Sequence, residues 1–254
     1  MFIGLKNFIT HLGRIILFLV DMLGCIVRGR VRVGEVFKQI YAQGIQSLAI
    51  VMATSFASGA VLAMQSRVAM ERFGAKELIA SLVALSLVRE LSPVFTALVF
   101  SGKSGAGMTA ELGTMSVNSQ ILATRTMGVD PMEFLIVPRF LACMIVLPIL
   151  VVVSEVVGIF GGWLIAVTEA GVPSSYYIHQ TLDAIRYVDF FSGFVKVFFF
   201  ALLIGWVSCY KGFYTSGGSM GVGRFTTQAV ANCYIAVIVS NTILTKAILT
   251  FWGN

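Results

Sequence analysis

Charged residues are scarce in this sequence. Asp, Glu, Lys and Arg together make up 12% of its 254 residues, whereas soluble domains carry roughly 25%. Hydrophobic residues make up 57%, and the mean hydropathy is +0.90. This composition excludes an ordinary soluble domain, because one core cannot bury so much apolar side chain. It predicts an all-α integral membrane protein.

Residues suited to metal binding, redox chemistry or acid–base catalysis are also few and scattered. No two cysteines form a CxxC pair, and three of the four lie inside apolar runs: Cys25, Cys143, Cys209 and Cys233. They predict small buried side chains, not disulfides or metal ligands. The two histidines, His11 and His179, are isolated. The sequence therefore indicates no metal and no cofactor within this chain.

The first 44 residues predict an amphipathic helix that lies in the membrane interface. Apolar residues recur at helical spacing, with Arg14 and Asp21 off their stripe: Leu12, Ile15, Ile16, Leu19, Leu23, Ile26 and Val27. Asp21 also interrupts the only apolar run that a secretory signal could use. The basic run RGRVR at 28–32 favours an anchor at the cytoplasmic head groups, with a docking surface for a cytoplasmic partner as the alternative.

Five apolar runs follow that are long enough to cross a bilayer, at 45–64, 78–100, 140–167, 190–210 and 229–252. The segments between them predict polar connections, at 65–77, 101–139, 168–189 and 211–228. The second of these connections also predicts a short helix at 117–127 and a turn at 128–131. Small residues between Ala53 and Ala63 predict that the first span packs closely against another helix.

The net charge of +6 would suggest a nucleic-acid partner in a soluble protein, but here the positive-inside rule explains it. Segments 1–44, 101–139 and 211–228 carry eleven Lys and Arg residues, and the two remaining connections carry four. The first set is therefore predicted to be cytoplasmic. This orientation places the N-terminus inside and the C-terminus outside. Because topology accounts for the positive charge, no nucleic-acid partner is predicted.

Two adjacent charges, Arg89 and Glu90, interrupt the second span, and Pro93 follows them. Charges inside a membrane helix cost roughly 2.5–3.5 kcal/mol on insertion scales and are a functional hypothesis by default. Pro93 has no N–H, so it leaves the carbonyl of Arg89 without a helical donor. Adjacent helical residues diverge and cannot easily pair with each other. We favour the polar wall of a substrate cavity over a purely structural ion pair. Candidate partners on other spans are Lys196, Glu155 and Lys246.

The run Ser-Gly-Lys-Ser at 101–104 loosely resembles a phosphate-binding loop. We reject this interpretation, because a working P-loop follows a β-strand in a soluble domain, and a membrane span precedes this run. The chain is therefore predicted not to be an ATP-hydrolysing enzyme on its own, and a transporter that contains it would need a separate ATPase subunit. The 39 residues at 101–139 are long for an ordinary connector and favour a docking site for such a motor.

Several motifs together resemble one known family. LSLVRELSPV (85–94), SGKSGAGMTAELG (101–113), MGVDPMEFLIVPRF (127–140), GIFGGWL (158–164) and SMGVGRFTTQAV (219–230) are similar to the MlaE family of ABC-transporter permeases. The resemblance runs from about residue 35 to the end of the chain. It implies a multi-pass protein of the bacterial inner membrane that moves phospholipid to or from a periplasmic MCE-protein carrier and so maintains outer-membrane lipid asymmetry.

The resemblance also implies partners. These are a second copy of the chain, a cytoplasmic ATPase of the MlaF type that binds ATP and Mg, a periplasmic MCE ring of the MlaD type, and a STAS-domain protein of the MlaB type in some systems. The implied lipid-cavity residues are Leu62, Gln65, Ala69, Met70, Phe73, Arg89, Glu90, Lys196 and Arg224. The implied ATPase-coupling segment contains Thr124, Arg125, Met127, Gly128, Asp130 and Pro131.

The sequence departs from the family pattern at a few positions. Lys103 stands where arginine is common, and the segment 65–77 is more charged than the family leads us to expect. These departures bear on the choice of lipid head group and not on the fold. Two other functions stay open: a permease of the same fold for another hydrophobic cargo, such as a sterol or an organic solvent, and a membrane anchor for a periplasmic assembly that does not transport.

Overall fold

The computed structural model describes residues 2–29 and 31–252, with side chains described from residue 13 to residue 250. Arg30 of the basic run, and the side chains of His11 and Leu12, lie outside the described residues. Eight helices follow one another in this part of the chain: α1 (Phe2–Val27), α2 (Val33–Arg72), α3 (Lys76–Val117), α4 (Gln120–Thr126), α5 (Met132–Thr168), α6 (Ser174–Ala184), α7 (Tyr187–Phe213) and α8 (Gly218–Trp252).

Five of these helices, α2, α3, α5, α7 and α8, are long and apolar enough to cross a membrane. The all-α fold and the number of spans are therefore confirmed. Short π-helical turns interrupt the regular hydrogen bonding at Tyr41–Ile45, Leu87–Leu91, Ser101–Gly105 and Met132–Ile136. Such turns leave individual carbonyls without a helical donor and recur at functional sites.

The predicted polar connections are shorter than expected. The first ends up mostly helical, because α2 continues to Arg72. The glycine-rich run that follows Phe100 is not a loop, since α3 continues to Val117. In the predicted loop 168–189 the chain forms α6, and α8 already begins at Gly218. The predicted short helix and turn are confirmed, as α4 and the residues directly after it.

The described chain forms two compact units, each built from three separate stretches. The first contains Met1–Gln43, Ser101–Met144 and Leu202–Cys233. The second contains Gly44–Phe100, Ile145–Ala201 and Tyr234–Asn254.

The core of the first unit joins α1 to parts of α3, α5 and α7. Phe18 and Met22 of α1 are buried there with Leu112, Phe140 and Tyr210. The predicted apolar stripe is therefore only half right, because the buried face of α1 is centred on Phe18, Met22 and Cys25, while three residues of the stripe are exposed: Ile16, Leu23 and Val27. A helix with a core-facing side and an exposed apolar side suits a position next to lipid.

Close helix packing explains why the glycine-rich run after Phe100 is helical. A methyl group on Gly105 would lie 3.0 Å from the Oγ of Ser208, and one on Gly212 would lie 2.7 Å from the Cβ of Leu112. Glycine at these positions lets α3 and α7 approach each other, which offsets its low helix propensity. Thr109 adds a hydrogen bond of 3.1 Å from its hydroxyl to the carbonyl of Ser208.

In the second unit, small residues bring α2 against α5. A methyl group on Gly59 would lie only 1.9 Å from the carbonyl oxygen of Gly158. One turn away, the hydroxyls of Ser55 and Ser154 are hydrogen-bonded at 2.6 Å. Ser55, Gly59 and Ala63, spaced by four residues, are all buried. The predicted close packing of the first span is therefore confirmed.

Candidate functional site

Three charged residues predicted to form the cavity wall meet in the second unit. The ammonium group of Lys196, on α7, lies 2.6 Å from a carboxylate oxygen of Glu90, on α3. The side chain of Lys196 is only 2% exposed. This confirms that Lys196 is the partner of Glu90, although 106 residues separate the two in sequence. Of the other candidates, Lys246 lines a cavity at Glu90 but forms no ion pair among the described residues, and neither does Glu155.

Two residues of α8 complete the hydrogen bonding of this pair. Lys196 donates to the hydroxyl of Thr245 at 2.8 Å, and Thr245 donates to the carboxylate of Glu90 at 3.0 Å. The side-chain amide of Asn241 donates to the other oxygen of Glu90 at 3.2 Å. The carboxylate thus accepts hydrogen bonds from three side chains, which is the condition under which a paired charge is tolerated inside a protein.

The third acceptor of Lys196 is the backbone carbonyl of Arg89, to which Pro93 cannot donate because it has no N–H. The N–H of Ser92 bonds to Leu87, five residues back, and Pro93 has no N–H to donate to Arg89. The ammonium of Lys196 donates to the carbonyl of Arg89 at 3.0 Å, as expected for an acceptor to which Pro93 cannot donate. An ammonium group has three hydrogens, and here each has an acceptor.

Arg89 has a different partner, which the sequence did not reveal. Its guanidinium lies 2.6 Å from a carboxylate oxygen of Asp189, near the start of α7. The other oxygen of Asp189 accepts a hydrogen bond of 3.1 Å from the backbone N–H of Arg186. Asp189 is 8% exposed and Arg89 is 47% exposed, so the arginine forms the accessible side of this pair. Its guanidinium therefore remains available to an anion.

These side chains line two cavities in the second unit. One, of about 160 Å³, contains Arg89, Glu90, Asp189, Lys196 and Thr245. The other, of about 490 Å³, is lined by Glu90 and by six residues of α8: Asn241, Thr242, Thr245, Lys246, Leu249 and Thr250. The charged residues are therefore both paired and cavity-lining. That these cavities hold a substrate stays a prediction.

Asp189 gives a direct test of the Arg89 pair. We expect Asp189→Asn to lower the midpoint of thermal denaturation of the purified protein in detergent, because a charge-assisted hydrogen bond contributes about 1.5–3 kcal/mol. Asp183→Asn, an identical change at an exposed position on α6, should leave the midpoint unchanged. Equal midpoints for the two variants would show that the Arg89–Asp189 pair contributes no stability.

The remaining predicted cavity residues lie elsewhere. Leu62 and Met70 pack around the buried cluster that contains Tyr177. Gln65, Ala69 and Phe73 are exposed at the end of α2 or just beyond it. None of the five lines the two cavities at Glu90. Arg224 belongs to the first unit, where it is exposed on α8. A role in lipid binding stays a prediction for all of these residues.

The predicted coupling segment is a sharply defined helix–turn–helix junction in the first unit. Gly128 ends α4 in the left-handed conformation, with φ +77°, and Val129 donates to the carbonyl of Thr124 at 3.2 Å. This is a glycine-terminated helix end of the Schellman type. The carboxylate of Asp130 then accepts from the N–H of Met132 at 2.9 Å, and Pro131, already in helical backbone conformation, directly precedes α5.

The exposed side of this junction is apolar and basic. α4 has no buried residue. Leu122 is 61% exposed and Met127 73% exposed, and Arg125 is also exposed. Exposed apolar side chains on a short, rigidly capped helix are typical of a protein contact surface.

The Ser-Gly-Lys-Ser run has a geometry unlike that of a phosphate-binding loop. Ser101–Gly105 forms one π-helical turn inside α3, and Ser101, Ser104 and Gly105 are buried. A P-loop instead wraps its backbone N–H groups around a phosphate between a strand and a helix. In this chain the run serves helix packing, with the Ser104 hydroxyl donating to the carbonyl of Gln43 at 3.0 Å.

Three residues of the charged site were missed from the sequence: Asp189, Asn241 and Thr245. Asn241 and Thr245 are four residues apart in an otherwise apolar span, so they lie on one helix face. That spacing was a usable signal. Asp189 had no such signal, because the polar segment before α7 offers several equivalent side chains.

Comparison with known proteins agrees with these features. The family model described as "Permease MlaE" matches residues 36–247. A probable ABC transporter permease protein of Rickettsia typhi is 38% identical over 240 residues, which cover 94% of this chain and 93% of that protein. An intermembrane phospholipid transport system permease protein of Haemophilus influenzae is 36% identical over 209 residues, covering 82% and 80%. A probable ABC transporter permease protein of Synechocystis is 34% identical over 219 residues, covering 86% and 83%.

The extent of the match decides the assignment. The family model covers residues of both units. It extends from α2 to the residues of α8 that bond to Glu90, so it includes the whole charged site. The identities hold over more than four fifths of this chain in each of the three relatives. This membrane-spanning chain therefore belongs to the MlaE family of ABC-transporter permeases.

Proposed function

We propose that this chain is the permease subunit of an ATP-driven system that moves phospholipid between the inner membrane and a periplasmic MCE-protein carrier, and so maintains outer-membrane lipid asymmetry. The observation that carries the proposal is the cavity wall at Arg89, Glu90 and Lys196. A phospholipid has an anionic head and apolar chains. The half-exposed Arg89 offers its guanidinium to the phosphate, and Leu249, in both cavities, offers apolar surface.

The charge balance of the site suits reversible binding. Each cation has its own carboxylate, Arg89 with Asp189 and Lys196 with Glu90. An arriving phosphate therefore competes with Asp189 for Arg89, and among the described residues lining these cavities only Lys246 is a cation without an ion pair. A site of this kind binds an anionic head group without holding it too tightly for release.

The named function of one relative supports phospholipid as the cargo, and the oligomeric state and orientation are our own extension. The Haemophilus influenzae relative is named as a permease of intermembrane phospholipid transport. We extend that cargo to this chain, with a homodimer in the bacterial inner membrane, the N-terminus in the cytoplasm and the C-terminus in the periplasm. Exposed apolar residues of α8 offer surface for the second copy: Ile235, Ile238, Val239 and Ile243.

The test is transport by the reconstituted complex. The chain is co-expressed with its ATPase and MCE partners, placed in liposomes with fluorescent phospholipid, and assayed for ATP-dependent transfer to or from the carrier. We expect ATP-dependent transfer of phospholipid. Transfer of a sterol or a solvent probe without transfer of phospholipid would contradict the proposal that phospholipid is the cargo. Normal assembly without any transfer would favour a membrane anchor.

Docking of the ATPase on α4 has its own test. We expect the double variant Leu122→Asp, Met127→Asp to lose co-purification of an MlaF-type ATPase at least tenfold, because it places two carboxylates at a contact that buries apolar side chains. Tyr187→Asp, at a fully exposed position on α7, is the control and should keep the ATPase. Retention of the ATPase by the double variant would place its docking site elsewhere.

A further inference from the structure

A third cavity in the second unit lies apart from the charged site. It has a volume of about 440 Å³ and lies between the later part of α5 and α6. That volume falls within the roughly 300–1,000 Å³ of ligand pockets in proteins. None of its lining residues lines the cavities at Glu90. The lining consists of Val156, Ile159, Phe160, Trp163, Tyr177, Ile178, Thr181, Leu182 and Ile185.

The walls of this cavity are held in place. The rings of Phe160 and Trp163 stack with their centres 5.4 Å apart. The indole N–H of Trp163 donates to the hydroxyl of Ser174, at the start of α6, at 3.0 Å. Gly162 lets the two helices approach, since a methyl group there would lie 2.9 Å from the hydroxyl of Tyr177. The cavity is therefore preformed and does not depend on an adjustable loop.

Its rim carries exposed apolar side chains. Val156, Phe160, Ile178 and Leu182 line the cavity and are each at least half exposed. α5 is one of the helices that cross the membrane. Exposed apolar side chains on such a helix contact acyl chains, so hydrocarbon is the material that can enter from the side.

Two buried hydroxyls in the lining point to more than bare hydrocarbon. Tyr177 is 1% exposed and Thr181 is 6% exposed. Neither hydroxyl has a hydrogen-bond partner among the described residues. Burial raises the pKa of the Tyr177 phenol well above its usual range, so this hydroxyl stays protonated and able to donate. An unpaired buried hydroxyl destabilises the protein, and a ligand oxygen that accepts its hydrogen would remove that cost.

A cation follows the lining directly. Ile185 is the last lining residue, and the next residue, Arg186, is exposed. The guanidinium of Arg186 forms no ion pair in the described part of the chain. The apolar lining, its two donor hydroxyls and the cation directly after it are the three kinds of group that the acyl chain, ester and phosphate of a phospholipid would contact.

We propose that the α5–α6 cavity binds one acyl chain of a bilayer phospholipid, whose ester carbonyl accepts a hydrogen bond from Thr181 or Tyr177 and whose phosphate pairs with Arg186. This lipid is separate from the transported one, and its binding does not rest on the proposed transport function. It fills the space between α5 and α6 and holds α6 against the spanning helices.

Trp163 provides a reporter inside the cavity. The sequence has three tryptophans, so Trp206→Phe and Trp252→Phe leave Trp163 alone. The full chain in detergent is titrated with phosphatidylglycerol that carries a dibrominated acyl chain, because bromine quenches tryptophan fluorescence on contact. We expect saturable quenching. Quenching that rises in proportion to lipid without saturation would overturn the proposal.

Matched variants test each part of the site. Val156→Phe fills the cavity and should weaken the apparent affinity at least tenfold, and Leu182→Phe does the same from α6. Val152→Phe, the same change one turn earlier on α5 and outside the lining, should leave the affinity unchanged. Thr181→Val should weaken it about threefold to tenfold. Equal affinities for Val156→Phe and Val152→Phe would overturn the site.

The head-group part has a separate arm. A dibrominated fatty acid and a dibrominated phospholipid are compared on the parent protein and on Arg186→Gln. We expect the phospholipid to bind more tightly, and Arg186→Gln to remove most of that difference. Equal binding of the two probes by the parent protein would overturn the phosphate contact. These assays measure lipid binding and not transport, so a failure of this proposal can be distinguished from a failure of the proposed function.

Discussion

Replacing Glu90 by alanine should abolish phospholipid transfer and lower the yield of folded protein. Lys196 is 2% exposed, and without Glu90 its ammonium keeps only the carbonyl of Arg89 and the hydroxyl of Thr245 as acceptors. Removing one partner of a buried ion pair costs about 3–5 kcal/mol, because the other charge is left uncompensated. Glu90 is 38% exposed, so we expect the lower part of that range. The measurements are the thermal midpoint in detergent and transfer in liposomes.

A second change separates stability from function. Glu90→Gln combined with Lys196→Met removes both charges at similar volume, so no unpaired charge stays buried. We expect this double variant to recover most of the thermal midpoint but not the transfer of phospholipid. Recovery of both would show that the pair only holds α3 and α7 together.

Glu71→Ala is the matched control for this experiment. Glu71 pairs with Lys76 at 3.0 Å, and both side chains are about half exposed. Exposed pairs contribute little to stability because solvent screens them, so this variant should keep the midpoint and the transfer of the parent. A loss as large as that of Glu90→Ala would show that the effect does not come from burial of the charge at Lys196.

The charged site shows how far sequence reasoning reaches. The cost of charge inside a membrane helix identified Arg89 and Glu90, and the missing N–H of Pro93 identified the unused carbonyl. The partner of Glu90 was also within reach, since few cations interrupt the other spans. The partner of Arg89 was not, because a salt bridge across 100 residues depends on which helix faces meet. Asp189 became identifiable only with α7 packed beside α3.

The fold likewise has features that the sequence predicts and features that depend on tertiary contacts. Length and hydropathy predict five spans, because the thickness of the hydrocarbon core fixes how many apolar residues a helix needs. The run after Phe100 was predicted as part of a polar connection, and the glycines in it have low helix propensity. In the structure Gly105 and Gly212 lie against neighbouring helices, and the close contact outweighs that propensity. Local composition does not record such contacts.

The contact of α2 with α5 gives the prediction with the largest expected effect on stability. We expect Gly59→Ala to prevent accumulation of folded protein. The added methyl group would lie 1.9 Å from the carbonyl oxygen of Gly158, which is backbone and cannot rotate away. The helices must separate, which also breaks the hydrogen bond between Ser55 and Ser154. Overpacking costs about 1–3 kcal/mol and occasionally more, and this backbone clash belongs at the upper end.

Two further glycines complete the series. Gly161→Ala places its methyl group 2.4 Å from the carbonyl oxygen of Phe56 and should be nearly as harmful. Gly107→Ala, inside α3, has nothing within 4 Å of the new methyl group and should stabilise the helix by about 0.5–1 kcal/mol. Size-exclusion profiles and thermal midpoints in detergent rank the three variants. Because the substitution is the same in each, only the distance to the neighbouring backbone differs, and a Gly59→Ala midpoint as high as that of Gly107→Ala would contradict the close contact of α2 and α5.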